Sequence, residues 1–319
     1  VLPDLSELTS DAVYAPRRND IRLWGPYARR AIEAAGLGTP ARLTMPGPST
    51  NPVVLADTGA VVKFFTPYWC GPESFLAESA AYEVLAGRGL PVPRILARGE
   101  LRPDESDWHW PYLVLSAVSG RPWREALSAA DRRGAARLAA SAGELLAGLC
   151  AVPLPEAGVL ASTAPGFADL LRERRASTVA DHRAWGQLSA PLLDRIEEFL
   201  PRIDDLIGNA APVFVHGDLS GDNLFAAGDT ITGLIDFNDV YAGDLRYTLV
   251  QLHLNAFRAD RELLAAALNA ADIEVTAEFP RQMLAFTFLH DFEVLEDLPI
   301  DVSDITEIDR LAETLWAVG

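Results

Sequence analysis

Residues 215–225 read VHGDLSGDNLF, and ITGLIDFND follows at 231–239. The skeleton is His216-x-Asp218, then Asn223, then Asp236 at the end of an apolar run. Two carboxylates and an amide set across a hairpin, behind an apolar strand, are the groups that phosphoryl transfer needs. A carboxylate must orient an acceptor hydroxyl and take its proton, while a divalent cation neutralises charge on the phosphate oxygens. Mg²⁺ prefers oxygen ligands, so Asn223 and Asp236 suit the metal and Asp218 is left for the hydroxyl. Any one of these residues also suits an Asx turn or a cap. The set, rather than a single member, carries the assignment.

A second position stands out by composition. The chain has 27 basic residues, and Lys63, in AVVKFF, is its only lysine. An ammonium is a compact point charge, whereas a guanidinium is a broad planar fork. A β-type run that keeps the ammonium therefore points to a place where the cation's shape matters.

These residues need a scaffold, and hydrophobic periodicity indicates one. Residues 19–36 have helical spacing and end in Gly. Residues 41–65 hold β-type runs joined by the turn-rich MPGPSTNP and the tight ADTG turn. Helical spacing returns over 73–89, and residues 91–100 and 111–120 read as strands flanking the polar loop LRPDESDWHW. From about residue 121 the pattern is helical, interrupted by the β-rich stretch 212–240 that carries the motif. The expected fold class is α+β and bilobal. Residues 1–115 form a small antiparallel-sheet lobe with an internal helix, 116–120 a joining segment, and 121–319 a larger, mainly helical lobe.

The net charge of −18 and pI near 4.6 disfavour nucleic acid and anionic membranes as partners and suit a cationic small molecule. Cys70 and Cys150 are the only cysteines, with no CxxC, so neither a disulfide framework nor a zinc site is expected. The first ten residues lack a basic stretch and no apolar run reaches membrane-spanning length, so a cytoplasmic location is expected.

HGDLSGDN and IDF resemble the catalytic loop and metal-binding motif of the aminoglycoside phosphotransferases, bacterial relatives of the protein-kinase fold. GPSTNPV, WCGPES, LRERRASTVADHRAWG, DVYAGDLRY, VQLHLNAFRADRE and LAFTFLHDFEV resemble the branch of that family that phosphorylates hygromycin B. The resemblance implies a protein-kinase-like fold and an antibiotic-inactivating activity that uses ATP and Mg²⁺. It implies Asp218 as the catalytic base, with Asn223 and Asp236 on magnesium. It implies Lys63 on the α- and β-phosphates and Glu78 as its helix partner, with Glu73 and Glu83 as alternatives. Ser116 and Val118 fall where the joining segment's main chain would hold the adenine edge. The loop over the phosphates is PGPSTNP, a departure from the GxGxxG of protein kinases. Ser49, Thr50 and Asn51 offer it hydroxyl, amide and main-chain donors.

A cationic, hydroxyl-rich acceptor requires carboxylates and amides. Asp239 follows the metal motif, and Gln251, Asn255 and Arg258 share one face if their segment is an α-helix. His290, Asp291 and Glu293 place polar atoms in an otherwise apolar helix. Asp239, Gln251, Asn255 and Asp291, with Asp218, are the candidate acceptor residues. His216 is read as a brace for the loop, Asp244 as a cap or tie, and Cys70, Trp69, Trp108 and Trp110 as packing. The expected protein is a monomeric hygromycin B kinase. The alternatives are a kinase of the same fold for another hydroxylated amine or sugar, and a non-catalytic nucleotide-binding module.

Overall fold

The computed structural model describes residues 2–47, 49–102 and 108–318. Pro48, in the turn-rich stretch, and residues 103–107, in the polar loop, lie outside the described residues. The chain divides into two compact units, Val1–Ala86 with Val92–Val118, and Gly87–Pro91 with Ser119–Gly319.

The first unit runs α1 (Asp11–Tyr14), α2 (Ile21–Ala34), β1 (Leu43–Thr44), β2 (Val53–Ala56), β3 (Ala60–Phe64), α3 (Gly71–Leu85), β4 (Ile95–Glu100) and β5 (Pro111–Ser116). Its antiparallel sheet has the order β1-β2-β3-β5-β4. The β2–β3 hairpin closes at Gly59, whose φ of 82° lies where a side chain is disfavoured. Asp20 caps α2 by accepting the Arg22 N–H at 2.9 Å. The apolar face of α2 lies on β1, β2 and β3. Trp24, Ile32, Val54, Val62, Phe64 and Val114 are all fully buried in that core. Because β3 is an interior strand, Lys63 is flanked on both sides, in register with Val53 of β2 and Leu113 of β5.

The second unit begins with β6 (Arg121–Pro122), α4 (Trp123–Ala129), α5 (Arg132–Cys150) and α6 (Gly166–Trp185). Three one-turn helices follow, α7 (Ala190–Leu193), α8 (Ile196–Phe199) and α9 (Ile203–Ile207). The β-rich stretch comprises β7 (Val213–His216), β8 (Leu224–Ala227), β9 (Thr230–Leu234) and β10 (Val240–Gly243). These strands form two separate sheets, β10-β7 and β6-β8-β9. The chain closes with α10 (Leu245–Val250), a π-helical turn Gln251–Ala256, α11 (Arg261–Ala270), α12 (Phe279–Phe288) and α13 (Ile308–Trp316). α5 and α11 pack so closely that a Cβ at Gly143 would sit 2.1 Å from the Ala267 carbonyl oxygen. No helix among the described residues is long and apolar enough to cross a membrane.

Two expectations are corrected. The segment carrying Gln251, Asn255 and Arg258 is not a continuous α-helix. A π-turn widens its pitch, and Arg258 has a φ of 52° in a left-handed turn, so the three do not share an α-helical face. Nor do His290, Asp291 and Glu293 lie on a helix, because α12 ends at Phe288 and the polar residues follow it.

Candidate active site

In the first unit, Lys63 Nζ lies 2.6 Å from Glu78 Oε2, with the two side chains only 6% and 1% exposed. Glu78 lies two turns into α3, a helix that starts at Gly71 with Pro72 in its first turn, after Trp69 and Cys70 adopt φ of 52° and 59°. One turn further on, Tyr82 donates its hydroxyl to Glu78 Oε1 at 3.1 Å. The alternatives face outward: Glu73 is exposed, and Glu83 makes a surface pair with Arg98 at 2.7 Å. Burying two charges is costly unless they are paired and hydrogen-bonded, and both conditions hold at Lys63 and Glu78.

Ahead of β2, the Ser49 hydroxyl donates to the Asn51 carbonyl at 2.6 Å, and Thr50 is exposed. Asn51 is fully buried, and its Oδ1 accepts the Thr66 N–H at 3.2 Å. Its Nδ2 has no acceptor among the described residues. Ser116 exchanges hydrogen bonds with Arg94, its Oγ accepting the Arg94 N–H and its N–H donating to the Arg94 carbonyl, both at 2.9 Å. Val118, half-buried, ends this unit.

In the second unit the VHGDLSGDNLF loop joins β7 to β8. His216 is fully buried and braces it: Nε2 lies 3.2 Å from the Ile235 carbonyl, and Nδ1 accepts the Asp218 N–H at 3.2 Å. Those partners define a neutral ring protonated on Nε2 that ties the loop to the residue before Asp236. Asn223 donates Nδ2 to both the carbonyl and the Oδ2 of Asp218, at 2.9 and 2.8 Å. Its amide nitrogen is thus committed to Asp218, and its oxygen is the group suited to a cation. Asp236 has a φ of 63°, an uncommon conformation for a non-glycine residue and one that recurs at functional sites. Burial, followed by the Asp236 charge, pushes Asp218 up to about 6. A carboxylate raised by a second one, with an amide oxygen alongside, fits a hard divalent cation, which would relieve the repulsion. No group of three or more His, Cys, Asp or Glu at metal-binding distance occurs among the described residues.

Of the expected acceptor residues, Asp239 and Asp291 both lie within electrostatic reach of Tyr247. Asp239 is half-buried, and its carbonyl accepts the Gly217 N–H at 2.6 Å, one residue before Asp218. Asn255 serves the loop itself: its Oδ1 accepts the Gly221 N–H at 3.1 Å and Arg124 Nη2 at 3.0 Å. Arg124 also holds Asp222 at 3.0 Å. Gln251 is buried, 5% exposed, and its Oε1 has no donor among the described residues. Asp291 is exposed, lies 3.6 Å from Arg174 Nε, and donates its N–H to the Tyr247 hydroxyl at 3.1 Å. Asp244 caps α10 through the Arg246 N–H at 2.9 Å.

Sequence reasoning does not single out Tyr82, Arg124 or Arg174. Tyr82 follows Glu78 by four residues, a spacing that could have revealed it. Arg124 meets its partners only through tertiary folding, whereas Arg174 pairs with Asp181 on its own helix at 3.0 Å as well as with Asp291.

Three buried histidines make stability depend on pH. Burial lowers His182 and His253 to about 4 and His290 to about 3, from 6.5. Below pH 6.5 the unfolded chain takes up these protons while the folded chain does not, so stability is lost as pH falls towards 4. A displacement from 6.5 to 4 corresponds to on the order of 3 kcal/mol per histidine. Asp218 acts oppositely, because its raised value makes the folded chain bind a proton below pH 6, but it is one group against three. Calorimetry of the metal-free chain should show a lower unfolding temperature at pH 5 than at pH 7. A flat or rising trend would refute this account of the core.

The phosphotransferase enzyme family matches residues 45–283. A homoserine kinase of Methylobacterium sp. (strain 4-46) is 37% identical over 203 residues, covering 59% of this chain and 58% of that protein. The lysine-specific demethylase JMJ21 of Arabidopsis thaliana is 23% identical over 217 residues, covering 54% of this chain and 23% of that protein. The chain thus spans little more than half of the first curated relative and about a quarter of the second. Among solved structures, the GDP complex of aminoglycoside 2'-phosphotransferase-IIIa has a TM-score of 0.63 at 18% identity, covering 82% of this chain and 88% of that one. The streptomycin–ATP complex of APH(2")-IIa has a TM-score of 0.58 at 16% identity, covering 91% and 97%. The aminoglycoside-3'-phosphotransferase of type VIII has a TM-score of 0.55 at 20% identity, covering 82% and 97%. These likenesses show the fold: kinase-like α+β, with an antiparallel-sheet lobe and a helical lobe.

Proposed function

The chain belongs to the phosphotransferase enzyme family, and on that premise we propose that it moves the γ-phosphoryl group of ATP onto a hydroxyl of hygromycin B. The carrying observation is the loop geometry, in which Asn223 donates to two oxygens of a half-buried Asp218 that desolvation and the Asp236 charge push up to about 6. A carboxylate so raised is ionised at neutral pH and is a better base than an ordinary aspartate. In this reading Asp218 orients the acceptor hydroxyl and takes its proton as the oxygen bonds to the γ-phosphorus. The bond from that phosphorus to the β–γ bridging oxygen breaks, and ADP leaves. Lys63, held by Glu78, binds the α- and β-phosphates, and Ser49, Thr50 and Asn51 supply donors to the phosphate oxygens. The main chain at Ser116 and Val118, in a 116–120 hinge, takes the adenine edge. Asn223 and Asp236 would hold Mg²⁺, which when bound neutralises charge on the transferring phosphate.

Hygromycin B as acceptor rests on the resemblance of the stretches quoted above. The chain's charge of −18 favours such a cationic ligand. Asp239 beside the loop and the exposed Asp291 are the carboxylates offered to its ammonium groups, with Gln251 as a further polar contact. Asn255, with its oxygen committed to Gly221 and Arg124, is assigned to loop support. A second reading, a kinase for a smaller hydroxylated amine, is favoured by the 37% identity to a homoserine kinase.

ADP release measured by a coupled assay with MgATP should separate these readings. Release with hygromycin B is expected. Release with homoserine but no aminoglycoside would favour the second reading, and none with any acceptor would leave a non-catalytic nucleotide-binding module.

A further inference from the structure

The family match begins at residue 45, yet the residues ahead of it are built into the nucleotide-handling lobe. Leu5, Leu8, Tyr14, Trp24 and Tyr27 belong to the same buried cluster as Val54, Val62 and Phe64 of the sheet. Three side-chain contacts go further and hold backbone. The Tyr14 hydroxyl donates to the Thr50 carbonyl at 2.6 Å. Asn19 Oδ1 accepts the Ser49 N–H at 3.3 Å. From the other direction, the Tyr68 hydroxyl donates to the Leu8 carbonyl at 2.6 Å. Ser49 and Thr50 are the loop residues assigned to the phosphates, and Asn51 leads two residues later into Val53, the β2 partner of Lys63.

The same segment supports the start of α3. The Tyr14 ring, fully buried, meets Trp69 edge-on with centroids 5.2 Å apart, and the Arg18 guanidinium lies 5.1 Å over Trp69. Trp69 and Cys70 are the left-handed pair that launches the helix carrying Glu78. Close packing fixes that launch, because a Cβ at Gly71 would stand 1.9 Å from the Thr66 carbonyl oxygen. Tyr14 therefore touches both structures through which this lobe would grip a nucleotide, the loop and the helix start. A loop of Pro, Ser, Thr and Asn has no regular ladder of its own, so an outside clamp fixes where its donors sit.

We propose that the segment Ser10–Asp20, acting through Tyr14 and Asn19, is a latch that presets the phosphate loop and so sets nucleotide affinity. This rests on the assignment of Ser49, Thr50 and Asn51 to the nucleotide. Tyr14 and Asn19 are positioning residues, since they act through the loop backbone. Losing one hydrogen bond of this kind is expected to weaken nucleotide binding by about 2- to 12-fold.

The experiment is calorimetric titration of the full chain with MgADP, beside steady-state kinetics with MgATP. Tyr14→Phe removes only a hydroxyl, and Asn19→Ala changes a half-buried residue with little risk to folding. Both variants should raise the dissociation constant for MgADP and the KM for ATP by that factor, leaving the acceptor KM unchanged. Variants that bind MgADP as the parent does, even with lowered unfolding temperatures, would show a purely structural segment and overturn the latch alone. A parent chain with no MgADP binding would overturn both the latch and the nucleotide assignment beneath it.

Discussion

Asp218→Asn is expected to lower kcat by roughly 10²–10⁴, the range for losing a positioned general base. The substitution is nearly isosteric, and an amide oxygen can still accept from Asn223 Nδ2, now 2.8 Å from Oδ2. The main-chain bonds that fix the loop, from Asp218 N–H to His216 and from Asn223 to the Asp218 carbonyl, do not depend on the side chain. Loop geometry and nucleotide affinity should therefore persist while basicity is lost. Stability should hold or rise, because a half-buried carboxylate raised by desolvation and by the Asp236 charge is removed. The parent enzyme's kcat/KM should climb as pH passes upward through about 6, where Asp218 loses its proton, and the variant should lack that limb. Turnover within threefold of the parent would remove Asp218 from the chemistry.

Lys63→Arg should cut kcat/KM for ATP by roughly 10- to 10²-fold, the scale of one or two charge-assisted hydrogen bonds, although the charge is conserved. The ammonium sits 2.6 Å from Glu78 and is 6% exposed, on a strand paired along both edges. A guanidinium is larger and needs a planar approach, so it must displace Glu78 or crowd the close-packed core. Crowding of that kind typically costs about 1–3 kcal/mol. Glu78→Ala should be worse for stability, because it strands a buried ammonium, a loss of about 3–5 kcal/mol. The exposed pair Arg98–Glu83 provides the control, since its removal should change stability by at most about 1 kcal/mol. Unchanged ATP kinetics in Lys63→Arg would reduce the single lysine to an accident of composition.

Local patterns in the sequence make much of this legible. The β-type run AVVKFF, the ADTG turn and the helical spacing over 73–89 place Lys63 on a strand and Glu78 on a helix. Their buried contact at 2.6 Å matches the pairing that the resemblance implies. HGDLSGDN carries part of its own geometry, since the bonds of Asp218 to His216 and Asn223 span at most five residues.

The acceptor side is less legible because its contacts are long-range. The π-turn at Gln251–Ala256 cannot be told from an α-helix by hydrophobic spacing over six residues. Once the turn widens, Asn255 reaches Gly221 and Arg124, 34 and 131 positions away. The end of α12 is obscured for a similar reason, since FLHDFEVL keeps an apolar rhythm past Phe288 with no Gly or Pro to mark the stop. The role of Tyr14 is equally hidden, because Thr50 is bound through its carbonyl, a group that every residue carries.

The most direct test of the central claim is mass spectrometry of hygromycin B after incubation with MgATP and the purified chain. One added phosphoryl group on the antibiotic is expected, formed in step with ADP by the parent and suppressed at least ~10²-fold in Asp218→Asn. Hygromycin B recovered unmodified while ATP stays intact, or phosphorylated as fast by the variant as by the parent, would contradict the account.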